Sequence, residues 1–207
     1  KNNEYRNHTG VLRLDLSPSE QIEVTTTGRF LQSRIEFPTE NEGDRLQAVL
    51  DPRQFAEHEQ FVGTFGTRYR QTGWLDHRFK VGVNFDDRLT RDPRDVPPDP
   101  ASRAPEGTRS TSKEERILLD YNAALSAPVV WGVTPLLVLG SSYEHQNFTQ
   151  RNRPVTTRRT NVERESHAAY SQLQLGWLDH VFLTGGARYD SSSVFGEELT
   201  PRVSLAV

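Results

Sequence analysis

Apolar and polar residues alternate through this chain in short bursts. At 77–86, Phe79, Val81, Val83 and Phe85 oppose Arg78, Lys80, Asn84 and Asp86. At 61–69, Phe61, Phe65 and Tyr69 oppose Thr64 and Arg68. Period two over about nine residues is the mark of a strand with one apolar and one wet face. The same pattern recurs at 10–16, with Leu12, Leu14 and Leu16 against Arg13 and Asp15, and at 21–33, with Ile22, Val24 and Phe30 against Glu23, Thr25 and Arg29. Further strands are predicted over 115–125, 133–145, 167–175, 181–189 and from 199 onward. The reading is all-β, with about nine antiparallel strands.

The connections sort by length. Short turns follow the first, third, fifth and seventh strands, and the pentapeptide Gly-Trp-Leu-Asp-His occupies two of them, at 73–77 and 176–180. Longer polar segments follow the second, fourth and sixth, over about 36–58, 88–112 and 146–164, with a medium one at 190–198. The second of these holds Pro93, Pro97, Pro98, Pro100 and Pro105, which suit irregular backbone. A transmembrane β-barrel has short turns at one rim and long loops at the other. A β-sandwich has no reason to sort its connections by parity. Trp74, Trp131 and Trp177 all fall at short connections, where a membrane-interface belt places amphipathic rings.

Composition agrees with a wall one residue thick. Hydrophobic residues make up 34% of 207, enough for one face of each strand and little more. The most apolar stretch, around 129–139, is broken by Gly132, Thr134 and Pro135, so no helix can cross a bilayer. With 25 basic and 28 acidic residues interspersed, no basic stripe points to nucleic acid. The chain has no cysteine, which removes disulfides, thiolate metal sites and thiol nucleophiles.

Several motifs carry a resemblance. The stretch Leu183-Thr184-Gly185-Gly186-Ala187-Arg188-Tyr189-Asp190, followed by Leu199-Thr200-Pro201-Arg202-Val203-Ser204-Leu205, resembles the "G-x-RYD" and "xPR-x-x-L" strands of TonB-dependent outer-membrane receptors. The Asp76-His77 turn and its following strand, and the run from Arg29 to Pro38, are similar to the cobalamin and siderophore branch of that family. The resemblance implies a bacterial outer-membrane location, active transport of a scarce nutrient such as a ferric siderophore or cobalamin, and coupling to TonB. It also implies that 1–207 is a segment of the barrel, with plug domain and closing strands outside it. A passive porin, a small complete barrel and a secreted β-sandwich binding module remain as alternatives.

Candidate chemistry is sparse. Asp76-His77 and Asp179-His180 resemble acid/base dyads, but adjacent strand residues point to opposite faces. Ser191, Ser192 and Ser193 lack any nucleophile-elbow frame. Asp92, Asp95 and Asp99 lack the spacing of a calcium loop. No catalytic residue, metal site or cofactor is therefore expected. Arg151, Arg153, Arg158 and Arg159, with Arg164, make 146–164 the most basic segment, suited to an anionic metal chelate or to lipopolysaccharide. Glu163 and Glu165 are their nearest acidic neighbours in sequence. Facing lipid, the pattern puts Leu12, Val24, Phe65, Val81, Leu119 and Val181; facing a polar lumen, Arg29, Arg68, Lys80, Asn84, Asp120, Gln172 and Arg188.

Overall fold

The structure, a computed structural model, describes residues 4–37, 54–92, 107–153, 158–178 and 180–207. Nine strands form one antiparallel sheet in chain order: β1 (Tyr5–Ser19), β2 (Ile22–Phe37), β3 (Gln54–Thr72), β4 (Leu75–Asp92), β5 (Thr108–Ser126), β6 (Val133–Arg153), β7 (Arg158–Trp177), β8 (Val181–Ser192) and β9 (Gly196–Ala206). Each strand pairs only with its sequence neighbours, as an up-and-down meander requires.

The pairing register joins the alternations of separate strands into two continuous faces. Phe65 pairs with Thr26 and with Val81, Val81 with Leu119, and Leu119 with Tyr143. Leu12 faces Gly28, on the side of Val24, and Val181 pairs with Trp177 at the far end of the same face. On the opposite face, Lys80 pairs with Asp120, Asp120 with Ser142, and Gln172 with Gly186. Every residue assigned from sequence to lipid or to lumen falls on its assigned face.

No apolar layer covers either side. Among the described residues, Ala168 is the one buried hydrophobic side chain, while Leu12, Phe61, Phe65, Phe79 and Phe182 are exposed. A sandwich would bury one of these faces against a second sheet. The apolar surface must instead meet a nonaqueous medium, since contiguous apolar area of this extent in water drives association.

The apolar face is a band and not the whole strand. On β4 it runs from Leu75 to Phe85, on β5 from Ile117 to Leu125 and on β2 from Ile22 to Phe30. About ten residues, at roughly 3.3 Å each and tilted by about 40°, span the approximately 25 Å apolar belt of an outer-membrane barrel. Short turns close one edge of this band: residues 20–21, 73–74, 127–132 and 178–180. Two of these turns are tied together. Leu178 N–H donates to Gly132 O at 2.9 Å, and both residues have positive φ, 51° and 78°. A Cβ on Gly132 would come within 2.7 Å of Leu178 Cδ2, so the contact needs glycine.

At the other edge the strands continue well past the band. β5, β6 and β7 are 19, 20 or 21 residues long, and their surplus lies entirely at that end. The structure corrects the sequence reading here. Most of 146–164 is β6 and β7, which pair as far as Asn152 with Arg158, and 190–198 is a tight hairpin in which Asp190 pairs with Glu198. The alternation used to find strands exists only where one face meets lipid. Above the band both faces are wet, so the backbone ladder continues without an apolar signature. The predicted proline-rich segment falls on residues outside those described, as do Asp95, Asp99 and Asp179.

Charge placement separates the two faces at the centre of the band. Val81→Arg should destabilise a complete receptor by about 2–4 kcal/mol, or block its insertion. Lys80→Ala, one residue away on the wet face, should cost no more than about 1 kcal/mol. Urea unfolding of the receptor in detergent or lipid measures both.

Candidate functional site

The polar face carries an ordered set of charge pairs along its length. Near the short-turn rim, Arg68 donates from Nε to Asp76 Oδ2 at 2.6 Å, and Arg70 reaches Glu23. Arg13 and Thr25 both donate to Asp15, at 2.7 and 2.8 Å. Higher up, Asp86, only 5% exposed, accepts from Arg88 Nε at 2.7 Å, pairs with His58 Nε2 at 2.8 Å and accepts from Gln60 at 3.2 Å. Glu144 accepts from Arg116 at 2.7 Å and from Arg164 at 2.6 Å. Asp15, Glu23, Asp76, Asp86, Glu144 and Asp190 are each held by a guanidinium or imidazole on the same or a neighbouring strand, while Glu114 accepts from the Gln146 amide at 2.9 Å. That arrangement leaves a surface wet, fixed in geometry and close to neutral.

A cleft of about 420 Å³ on the polar face is lined by Asp120, Tyr170, Gln172, Gly186, Arg188 and Arg202. Tyr170 pairs directly with Gly140, and its ring lies where a Cβ on Gly140 would project. Arg188 sits 5.9 Å from the Tyr170 ring centroid and binds both oxygens of Asp190 at 2.9 Å. A glycine under an aromatic ring lets the side chain lie flat along the sheet. Gly186 is required for a different reason: a Cβ there would run into the backbone of the neighbouring strand, Ser171 O at 2.6 Å.

The outward face ends in aromatic side chains at both edges of the apolar band. Toward the short turns, His77 stacks between Tyr69 and Tyr121, at 6.1 Å from each, and its Nδ1 lies 2.8 Å from Tyr121 Oη. Trp74, Trp131 and Trp177 are at this rim, at 53%, 95% and 53% exposure. At the far edge Tyr143 packs on His167 with centroids 4.9 Å apart.

Asp76 and His77 part to opposite faces, Asp76 to Arg68 and His77 to Tyr121, so they form no dyad. Ser191 pairs with His167, while His180 lies beyond the other end of β8, about 35 Å along the strand. The arginines also divide. Arg151, Arg153 and Arg159 lie on exposed outward positions, with Arg151 opposite Arg159 and Arg153 opposite Arg109. Arg164 lies on the polar face against Glu144, and the side chain of Arg158 lies outside the described residues. Glu163 and Glu165 do not neutralise these arginines. They sit 3.9 and 3.6 Å from His145, and Glu165 accepts from Tyr143 at 3.2 Å.

With this geometry in view, the comparisons are decisive for the family. The model of the family described as TonB dependent receptor-like, beta-barrel matches residues 2–207. The chain belongs to that family. Barrels of TonB-dependent receptors are bacterial outer-membrane proteins, and the family is one of receptors and transporters. No curated protein matches the chain in sequence.

Solved structures give the same fold. The RagAB peptide transporter superposes with a TM-score of 0.73 at 11% identity, over 96% of this chain and 29% of that one. The siderophore receptor PirA from Acinetobacter baumannii gives 0.69 at 14%, over 97% and 31%. The ferric citrate transporter FecA gives 0.63 at 11%, over 99% and 33%. This segment of a TonB-dependent receptor barrel thus spans about a third of the length of each structure it matches.

Sequence reasoning placed the lumenal Asp120 and Arg188 correctly but missed Tyr170. Its signal was the Gly140–Tyr170 pairing, which is invisible until the register of β6 against β7 is known. Gly140→Ala should destabilise a complete receptor by about 1–3 kcal/mol, through displacement of the Tyr170 ring. In a Tyr170→Ala background the same substitution should cost close to nothing. Thermal unfolding of the four proteins measures this coupling.

Proposed function

We propose that this chain supplies part of the wall and capture surface of a receptor that takes up a scarce nutrient, such as a ferric siderophore or cobalamin, across the outer membrane with energy delivered by TonB. The observation that carries the reading is the family match over residues 2–207, joined to a polar face on which most carboxylates are held by a guanidinium or imidazole. A passive porin needs an open aqueous lumen that acts on ions in solution. A face that is polar yet internally compensated suits a lumen filled by a folded plug, against which unpaired charge would be costly.

In this reading residues 1–207 form a barrel segment only, and TonB engages through a plug domain outside it. The short turns face the periplasm, and Trp74, Trp131 and Trp177 anchor that rim at the membrane interface. The raised ends of β3 to β7, with the connections they carry, stand outside the cell and contribute to capture through their lumenal side, whereas Arg151, Arg153 and Arg159 stand on the outward face. Lipopolysaccharide surrounds the outward face above the apolar band. The receptors named above carry peptide, siderophore or ferric citrate by their own descriptions, so the shared fold does not select among cargoes.

Uptake by cells carrying the complete receptor tests the proposal. Radiolabelled ferric chelates and cobalamin, supplied at concentrations too low for diffusion, should enter only when both the receptor and TonB are present. Equal uptake with and without TonB would mean a passive pore.

A further inference from the structure

Among the described residues, the top of the outward face carries positive charge that its neighbours on the sheet leave unpaired. From β4 to β7 two successive cross-strand rows contain no acid; toward β3 and β2 the same rows reach Glu57 and Glu36, both already held by Arg34. One row is Arg91, Arg109 and Arg153, paired in turn across β4, β5 and β6; the other is Leu89, Thr111, Arg151 and Arg159, across β4 to β7. All five arginines are exposed, and among the described residues none makes an ion pair or hydrogen bond through its side chain. Like charges placed directly opposite one another on a sheet cost stability. Here they are stacked three deep.

The rows just below show that the surplus is local. One row down, Lys113 donates to Asp87 at 2.9 Å, which raises the lysine pKa, and Thr149 donates to Asn161 at 2.8 Å. Below that lie Glu163 and Glu165, engaged with His145 and Tyr143. The acids below these rows are engaged on their own level, Asp87 by Lys113, Glu59 by Gln32, Glu163 and Glu165 by His145 and Tyr143, and among the described residues none reaches the five arginines. Arg109, Thr111, Arg151 and Arg153 line a shallow cleft of about 180 Å³.

Position selects the counter-ion. The cluster is on the face away from the lumen, so a solute travelling through the barrel does not meet it. Arg91 lies six residues beyond Phe85 and Arg151 eight beyond Tyr143, which puts the cluster roughly 15–20 Å above the apolar band. At that height beside an outer-membrane barrel stand the sugars of lipopolysaccharide, well clear of its acyl chains. Guanidinium groups match phosphate oxygens in bidentate geometry, which ammonium groups do not.

We propose that Arg91, Arg109, Arg151, Arg153 and Arg159 form an outward-facing site for the phosphate groups of the lipopolysaccharide core. This rests on the reading above that the raised strand ends face outside the cell. The site fixes the receptor laterally to its lipid surroundings and relieves the repulsion among stacked arginines. It is separate from cargo capture.

The test uses the complete receptor, purified in detergent, as wild type and as the triple variant Arg109→Gln, Arg151→Gln, Arg153→Gln. Binding is measured to lipopolysaccharide with a phosphorylated core, to the same material after enzymatic dephosphorylation, and to inorganic phosphate as competitor. Wild type should bind the phosphorylated form about tenfold or more tightly than the variant does. Dephosphorylation should remove the difference, and inorganic phosphate should compete only weakly, lacking the lipid-held array. The triple Arg→Lys variant should fall between the two. Equal binding by wild type and variant, or indifference of wild type to dephosphorylation, overturns the proposal. If the variant does not fold, the dephosphorylation result on wild type decides alone.

Two further readouts keep this claim apart from the transport reading. Thr111→Cys should react with a membrane-impermeant maleimide on whole cells; protection there with reaction from the periplasmic side would reverse the orientation and sink the site. Cargo uptake should be unchanged in the triple variant, and loss of uptake with lipopolysaccharide binding intact would reassign the arginines to capture. Failure of TonB-dependent uptake in wild type, with phosphate-dependent binding intact, would remove the transport reading and leave the site standing.

Discussion

Backbone pairing inside hydrocarbon is the constraint on which everything else in this molecule depends. A peptide N–H or C=O left unpaired among lipid tails costs several kcal/mol, so a chain crossing as strands must run an unbroken ladder from one strand to the next. All eight strand pairs satisfy it through the apolar band, and the irregularities at Leu16/Ser19 and Arg70/Thr72 fall at the short-turn rim, where water can take up what the ladder drops. The meander is the simplest way to keep each strand beside its neighbour. Once the ladder is fixed, period-two alternation assigns each side chain to lipid or to lumen with no further choice.

That dependence explains how much could be read from the residues alone. Leu12, Val81 and Leu119 declared their face because each stands in a run where every second residue is apolar, and the register then aligned them. Above the band the same ladder runs through Thr108 to Ser112 and Phe148 to Arg153, where both faces are wet and no alternation exists, so strand was read as loop. The cross-strand partners Gly140 and Tyr170, or Arg109 and Arg153, are far apart in sequence and meet only through register. Sequence could say that 146–164 was basic. It could not say that Arg164 would turn inward to Glu144 while Arg151 and Arg159 turned outward to Arg109 and Arg91.

The two faces handle charge in different ways, and the difference follows from what each one meets. Most lumenal carboxylates are bound singly, Asp76 by Arg68, Asp86 by Arg88 and His58, Glu144 by Arg116 and Arg164. A folded plug packed against such a surface encounters dipoles and satisfied pairs. The outward face is apolar across the band, mixed and mostly acidic immediately above it and, among the described residues, rich in unpaired arginine at its top. Under the proposed lipopolysaccharide site, these three zones would face acyl chains, a polar boundary and a phosphorylated sugar layer.

The central claim, that one sheet face meets lipid and the other a water-accessible lumen, is tested most directly by accessibility along a single strand. The chain has no native cysteine, so single cysteines at each position from Arg78 to Phe85 of the complete receptor can carry a nitroxide label in a lipid bilayer. Collisions with oxygen, which concentrates in hydrocarbon, should peak at Phe79, Val81, Val83 and Phe85. Collisions with a water-soluble nickel chelate should peak at Arg78, Lys80, Gly82 and Asn84. Period-two profiles in opposite phase are the predicted result; profiles without that period, or with the phases exchanged, would contradict the account.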